Sequence, residues 1–129
     1  MHTSGGAMPR VLVVDDEPDA VYLLQEFLVA KGYEVLTASD GEEALRKVKE
    51  ERPHVMLLDV RMPGMNGLEV LKRVREMDHE VGVIMVTAVN EEETGHQALQ
   101  LGAFDYITKP FDFTYLERSL WAKIQMMTL

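Results

Sequence analysis

From Arg10 onward, short aliphatic runs alternate with longer segments of helical period. Five runs predict strands: "RVLVVD" (10–15), "YEVLTA" (33–38), "HVMLLDV" (54–60), "VGVIMVTA" (81–88) and "FDYITK" (104–109). Four of them are nearly continuous in apolar residues, the pattern of parallel strands covered by helices on both faces. In the second, Glu34 and Thr37 interrupt the run, so that strand is expected at a sheet edge.

The segments between the strands carry helix starts. Pro18 suits the first turn of a helix that repeats Val21, Leu24 and Leu28 on one face and stops near Gly32. Asp40 followed by Glu43 has the form of a capping box, and Asn90 followed by Glu93 repeats it with an asparagine. Asn66 is placed to cap a helix carrying Leu71, Val74 and Met77, and Asp112 one carrying Leu116, Leu120 and Ile124. No internal repeat or low-complexity tract interrupts the alternation. The pattern is (βα)5, an α/β doubly wound parallel sheet. Right-handed crossovers put the first strand in the interior if both faces are to be covered, which gives the order 2-1-3-4-5. The first and third strands then adjoin at the switch point, beyond whose carboxyl ends ligands bind.

Composition narrows the chemistry. At 129 residues, 47% hydrophobic and 27% charged, the chain fits one soluble domain with its own core. No apolar run reaches the roughly 20 residues of a membrane span and no signal-peptide core is visible, so a cytoplasmic location is the expectation. Zero cysteines exclude disulfides, thiolate metal sites and cysteine nucleophiles. A formal charge of −9 argues against direct nucleic-acid binding and suits a cation or a partner with a basic surface. "MHTSGGAM" (1–8) is polar, glycine-rich and patternless, and reads as a flexible leader or an expression remnant, leaving 9–129 as the domain.

The predicted topology brings charges together that are far apart in sequence. Asp15 and Asp16 end the first strand and Asp59 ends the third, so three carboxylates converge on one crevice. Such a cluster either takes up a proton or binds a divalent cation. A few carboxylates completed by water suit Mg²⁺ better than Ca²⁺, and no histidine stands at these strand ends to favour zinc. Thr87 closes the fourth strand with a hydroxyl and Lys109 the fifth with an ammonium, the groups that hold a phosphoryl group. Taken singly, the Asp pair reads as first-turn charge, the Thr as packing and the Lys as solvated. Asp59 resists that treatment, because its run is otherwise apolar and an unpaired buried acid is costly.

With "VVDDEP", "LLDVRMPGMNGLEVL", "VTA" and "DYITKPF" in this order, residues 10 to about 125 resemble the receiver domain of bacterial two-component response regulators. The resemblance implies a flavodoxin-like fold. It implies that Asp59 accepts a phosphoryl group from a sensor histidine kinase or phosphotransfer protein. Asp16, Asp59 and the backbone carbonyl of Arg61 would ligate Mg²⁺, with Asp15 acting through water. Thr87 and Lys109 would bind the phosphoryl oxygens, the Lys109–Pro110 bond would be cis, and Tyr106 would be the switching aromatic. Read without the family, Tyr106 is better explained as a core tyrosine of the last strand. The output would pass through the fourth helix, fifth strand and fifth helix to an output domain or a downstream protein. In "MPGMNG" (62–67), Gly64 and Gly67 permit tight backbone geometry beside Asp59.

Three rival readings are weaker. A haloacid-dehalogenase-type phosphatase needs a second acid two residues after its nucleophile, where this chain has Arg61. A flavin module needs glycine or hydroxyl residues after the first strand, where "DDEPDA" would repel phosphate. A receiver-like module never regulated by phosphorylation has no need of the complete set of side chains. The resemblance also implies that the residues two positions after Asp59 and after Thr87, here Arg61 and Val89, flank the approach of water to the phosphoryl group. Neither is suited to activate that water, so slow self-dephosphorylation is expected.

Overall fold

Five parallel strands, β1 (Arg10–Val14), β2 (Glu34–Ala38), β3 (Val55–Asp59), β4 (Gly82–Ala88) and β5 (Asp105–Lys109), form one sheet in the order β2-β1-β3-β4-β5. The computed structural model describes residues 8–88 and 90–127. The leader expected over 1–8 lies, except for Met8, outside the described residues, as does Val89. Strand and helix positions agree with the hydrophobic pattern to within a residue or two at each end. β2 is an edge strand as its polar interruptions predict, and β5 forms the other edge, with only Ile107 fully buried.

Helices α1 (Pro18–Ala30), α2 (Gly41–Glu51), α3 (Gly67–Met77), α4 (Glu92–Gln100) and α5 (Phe113–Met127) cover the sheet. Because successive strand residues point to opposite faces, the sheet divides the interior into two cores. On one side Val11, Val13, Leu57 and Ile84 meet Leu24 and Leu28 of α1 and Leu116, Leu120 and Ile124 of α5. On the other, Leu12, Val14, Leu58 and Met85 meet Ala44 and Val48 of α2, Val70, Leu71 and Val74 of α3 and Ala98 of α4. Each fully buried leucine or valine contributes about 1.5–3 kcal/mol by leaving water.

Pro18 occupies the first turn of α1. The Asp40 carboxylate accepts from the Glu43 amide at 2.8 Å, and the Glu43 carboxylate accepts from the Ser39 amide at 2.9 Å, so the reciprocal bond falls one residue earlier than in the standard box. Asn66 accepts from Glu69 N at 3.1 Å and Asp112 from Tyr115 N at 3.1 Å, as their sequence positions predict. Two expectations fail. Met77 is 44% exposed, because it ends α3 where the helix has run past its core contacts. Asn90 does not cap α4: the N-cap is Glu91, whose side chain makes no cap bond and pairs with Arg61.

Candidate functional site

The carboxyl ends of β1, β3, β4 and β5 surround a cavity of about 290 Å³ lined by Asp16, Glu17, Asp59, Arg61, Thr87, Glu91 and Lys109 among others. A larger and more apolar cavity of about 500 Å³, walled by Tyr33, Trp121 and Ile124, gathers none of these groups. Switch-point topology accounts for the difference. α1 and α3 leave β1 and β3 in opposite directions, and the gap between their loops receives whatever those strands carry at their ends.

Ligand oxygens of Asp15, Asp16 and Asp59 all lie within 4.8 Å of one another, with Asp15 and Asp59 buried and Asp16 exposed. One oxygen of Asp15 accepts from the Glu17 amide at 2.9 Å and the other faces Lys109 Nζ at 3.1 Å. Asp59 divides its oxygens similarly, between the Arg61 amide at 3.3 Å and Lys109 Nζ at 3.4 Å. Lys109 thus bridges the two buried acids and also meets exposed Glu17 at 3.4 Å. A single ammonium does not neutralise this group.

The imbalance appears in the acidity of Asp59. Burial, seconded by the charge of Asp15, pushes its pKa up to about 6, although Lys109 and the Arg61 amide pull the other way. For Lys109, burial favours the neutral form, but the hydrogen bond to Asp15 and the charges of Asp59 and Asp15 prevail, and its pKa rises. The donor set fits a hard divalent cation: carboxylate oxygens only, two of the three acids buried, and a local excess of negative charge.

The loop after β3 is shaped by glycine. Gly64 has φ +77°, in the left-handed region. Gly67 starts α3 so close to the end of β3 that a Cβ there would stand 2.8 Å from the Val60 Cα and nearer still to the Asp59 carbonyl. The Gly67 amide donates to the Val60 carbonyl at 2.8 Å, tying the helix start to the strand that carries Asp59. The Lys109–Pro110 peptide bond is cis, as the resemblance implied.

Thr87 lines the same cavity, but its hydroxyl donates to the Ile107 carbonyl of the neighbouring strand at 3.4 Å and not to an acid of the cluster. Tyr106 lies beside Met85 in the sheet register, and its ring covers Gly95 of α4. Its hydroxyl pairs with His96 Nε2 at 3.3 Å, with the two rings edge to face. Arg61 turns its guanidinium to Glu91, with Nε on one carboxylate oxygen at 3.0 Å and Nη2 on the other. Neither Glu91 nor Glu17 figures in the site expected from sequence. Both sit in acidic runs, "DDEPD" and "NEEET", where each reads as ordinary charge at the start of a helix.

Comparison with known proteins agrees with this fold. The family model described as the response regulator receiver domain matches residues 11–120. The chain is 49% identical over 102 residues to the alkaline phosphatase synthesis transcriptional regulatory protein PhoP of Bacillus subtilis, covering 79% of this chain and 42% of PhoP. It is 40% identical over 103 residues to sporulation initiation phosphotransferase F of the same species, covering 80% of this chain and 83% of that protein. With regulatory protein AtoC of Escherichia coli the identity is 37%, over 95% of this chain but 27% of AtoC, so the chain spans less than half the length of the two regulators PhoP and AtoC. Among solved structures, a putative response regulator of Chloroflexus aurantiacus superposes with a TM-score of 0.88 at 30% identity, over 92% of this chain and 99% of that one. A CheY-like receiver domain protein of Methanospirillum hungatei does so with a TM-score of 0.88 at 30% identity, over 95% and 98% of the two chains. No helix among the described residues is long and apolar enough to cross a membrane. The chain belongs to the receiver domain family of two-component response regulators.

Proposed function

We propose that Asp59 is the phosphoacceptor of this receiver domain, taking a phosphoryl group from the phosphohistidine of a sensor histidine kinase or a phosphotransfer protein. The observation that carries the reading is the buried Asp59 carboxylate at a strand end, with Lys109 Nζ at 3.4 Å and two further acids beside it. An oxygen of Asp59 forms the new O–P bond, the P–N bond of the donor breaks, and its electron pair returns to the imidazole. Lys109, already bridging Asp15 and Asp59, stays close enough to balance charge as it builds on the phosphoryl oxygens. Asp15, Asp16 and Asp59, with the Arg61 carbonyl, are the groups we assign to Mg²⁺. Bound there, Mg²⁺ would neutralise oxygen charge during transfer and explain how so many acids are tolerated.

Thr87 donates its hydroxyl to the phosphoryl group after exchanging the 3.4 Å bond to the Ile107 carbonyl, which is long enough to be surrendered. Its inward movement opens space next to Tyr106 and biases the surface of α4, β5 and α5. The domain is a phosphoacceptor that assists its own phosphoryl transfer and dephosphorylation, and it passes the change to an output domain or a downstream protein. Residues 9–129 form this unit, and a cytoplasmic location accords with such a donor. The test is intact mass after incubation with Mg²⁺ and a small phosphodonor such as acetyl phosphate. Wild type should gain one hydroxylamine-sensitive phosphoryl group and Asp59→Asn none. Equal labelling of the two proteins would move the nucleophile elsewhere, and no labelling of wild type would favour a module that works without phosphorylation.

A further inference from the structure

Arg61 and Glu91 stand 30 residues apart, on the loop that follows β3 and the one that precedes α4. Both line the cavity that holds Asp59, Thr87 and Lys109. Within reach of several acids, the guanidinium grips Glu91 through two nitrogens, one bond measuring 3.0 Å. Its side chain is 75% exposed, whereas Glu91 is 16% exposed, so the arginine has open solvent to swing into and the carboxylate has little. With its arginine in open solvent at a loop rim, the pair contributes little to stability and can break without unfolding the protein.

Glu91 is also joined to the helix that carries the Tyr106 contact. Its amide donates to the Ala88 carbonyl at 3.0 Å, and its own carbonyl accepts from Thr94 N at 3.0 Å and Gly95 N at 3.3 Å. Gly95 is the residue on which the Tyr106 ring lies: a Cβ there would stand 2.6 Å from the ring. A pull on Glu91 therefore acts on the first turn of α4, directly under Tyr106.

From this geometry we propose that Glu91 is a positioning residue that parks the Arg61 guanidinium at the rim of the site before phosphorylation. The phosphoryl group on Asp59 then takes Arg61 over, and the competition sets the lifetime of the acyl phosphate. A phosphoryl group offers the same forked geometry as a carboxylate with more charge and more acceptor oxygens, and guanidinium favours such an exchange. Once transferred, Arg61 covers the phosphorus against water, and Glu91 releases the start of α4. The proposal rests on the reading of Asp59 as phosphoacceptor.

The experiment is phosphate loss over time, after labelling with acetyl phosphate at one Mg²⁺ concentration, for wild type, Glu91→Gln, Arg61→Ala and the double variant. Glu91→Gln frees Arg61 and should slow the loss by up to about fivefold, the range open to an exposed ion pair. Arg61→Ala should speed it, and Glu91→Gln should have no further effect in that background. Alongside, the Arg61 Nε–H resonance in wild type should move on phosphorylation, and in Glu91→Gln it should start from a different position. If all four proteins label but Glu91→Gln decays like wild type, or acts equally with and without Arg61, the positioning role is wrong while Asp59 stands. A stationary Arg61 resonance overturns it too. If wild type and all variants fail to label, the reading of Asp59 fails and takes this inference with it.

Discussion

Asp59 concentrates the chemistry of the site in one titration. Its pKa in the folded protein is raised by burial and by Asp15 to about 6, above that of an unfolded aspartate near 3.9. A carboxyl group raised in this way stabilises the fold below its unfolded pKa, and that contribution is lost as pH rises through the folded value. Without a divalent cation, the melting midpoint of Asp59→Asn minus that of wild type should therefore grow between about pH 4 and about pH 6 and then level off. A difference that shrinks across that window would mean that Asp59 is not penalised by its surroundings. Asp59 was legible in the sequence because a lone acid in "HVMLLDV" has no cheap explanation, and Lys109 because it closes a strand opposite those acids. The partner of Arg61 was not. Two loop residues find each other only when the sheet has placed β3 beside β4, and no local pattern records which of several acids the guanidinium will choose. The hydrogen bond of Thr87 to the Ile107 carbonyl is hidden for the same reason.

Helix caps were the most legible elements, because a cap is made by residues within three positions of each other. Asp40, Asn66 and Asp112 all cap where their spacing places them. Asn90 has equally good spacing and does not cap: α4 takes Glu91 as its N-cap, and the Glu91 carboxylate pairs with Arg61 from another loop. The start of α3 is set by close approach instead of by a cap alone. Gly67→Ala would force a methyl against the Asp59 carbonyl and the Val60 Cα, backbone atoms that cannot swing aside. The expected cost is about 1–3 kcal/mol, typical of overpacking, together with slower phosphorylation because the strand end carrying Asp59 must shift. Chemical denaturation and the labelling rate measure the two effects. Wild-type stability in this variant would show that the loop yields freely and that the glycine is incidental.

At the scale of the whole molecule, the acid cluster is expected to make stability depend on divalent cation. Binding of Mg²⁺ to the folded arrangement of Asp15, Asp16 and Asp59, as proposed above, should raise the melting midpoint, adding about 1.4 kcal/mol at ten times its dissociation constant. Asp16→Ala should melt higher than wild type without Mg²⁺, gain little when it is added, and fail to label. A full Mg²⁺-dependent rise in Asp16→Ala would place the cation elsewhere. The strand order was legible because handedness and coverage leave few ways to arrange five parallel strands. The division of the interior into two cores has a consequence of another kind. Tyr106 packs with the α2–α3–α4 core, while its neighbour Ile107 belongs to the α1–α5 core, and the sheet stands between them. Packing substitutions around α4, which would retune how readily the domain responds, need no compensation beneath α1. The two cores of this protein can therefore be repacked separately, and α5, which belongs to the α1 side, answers to different neighbours from α4.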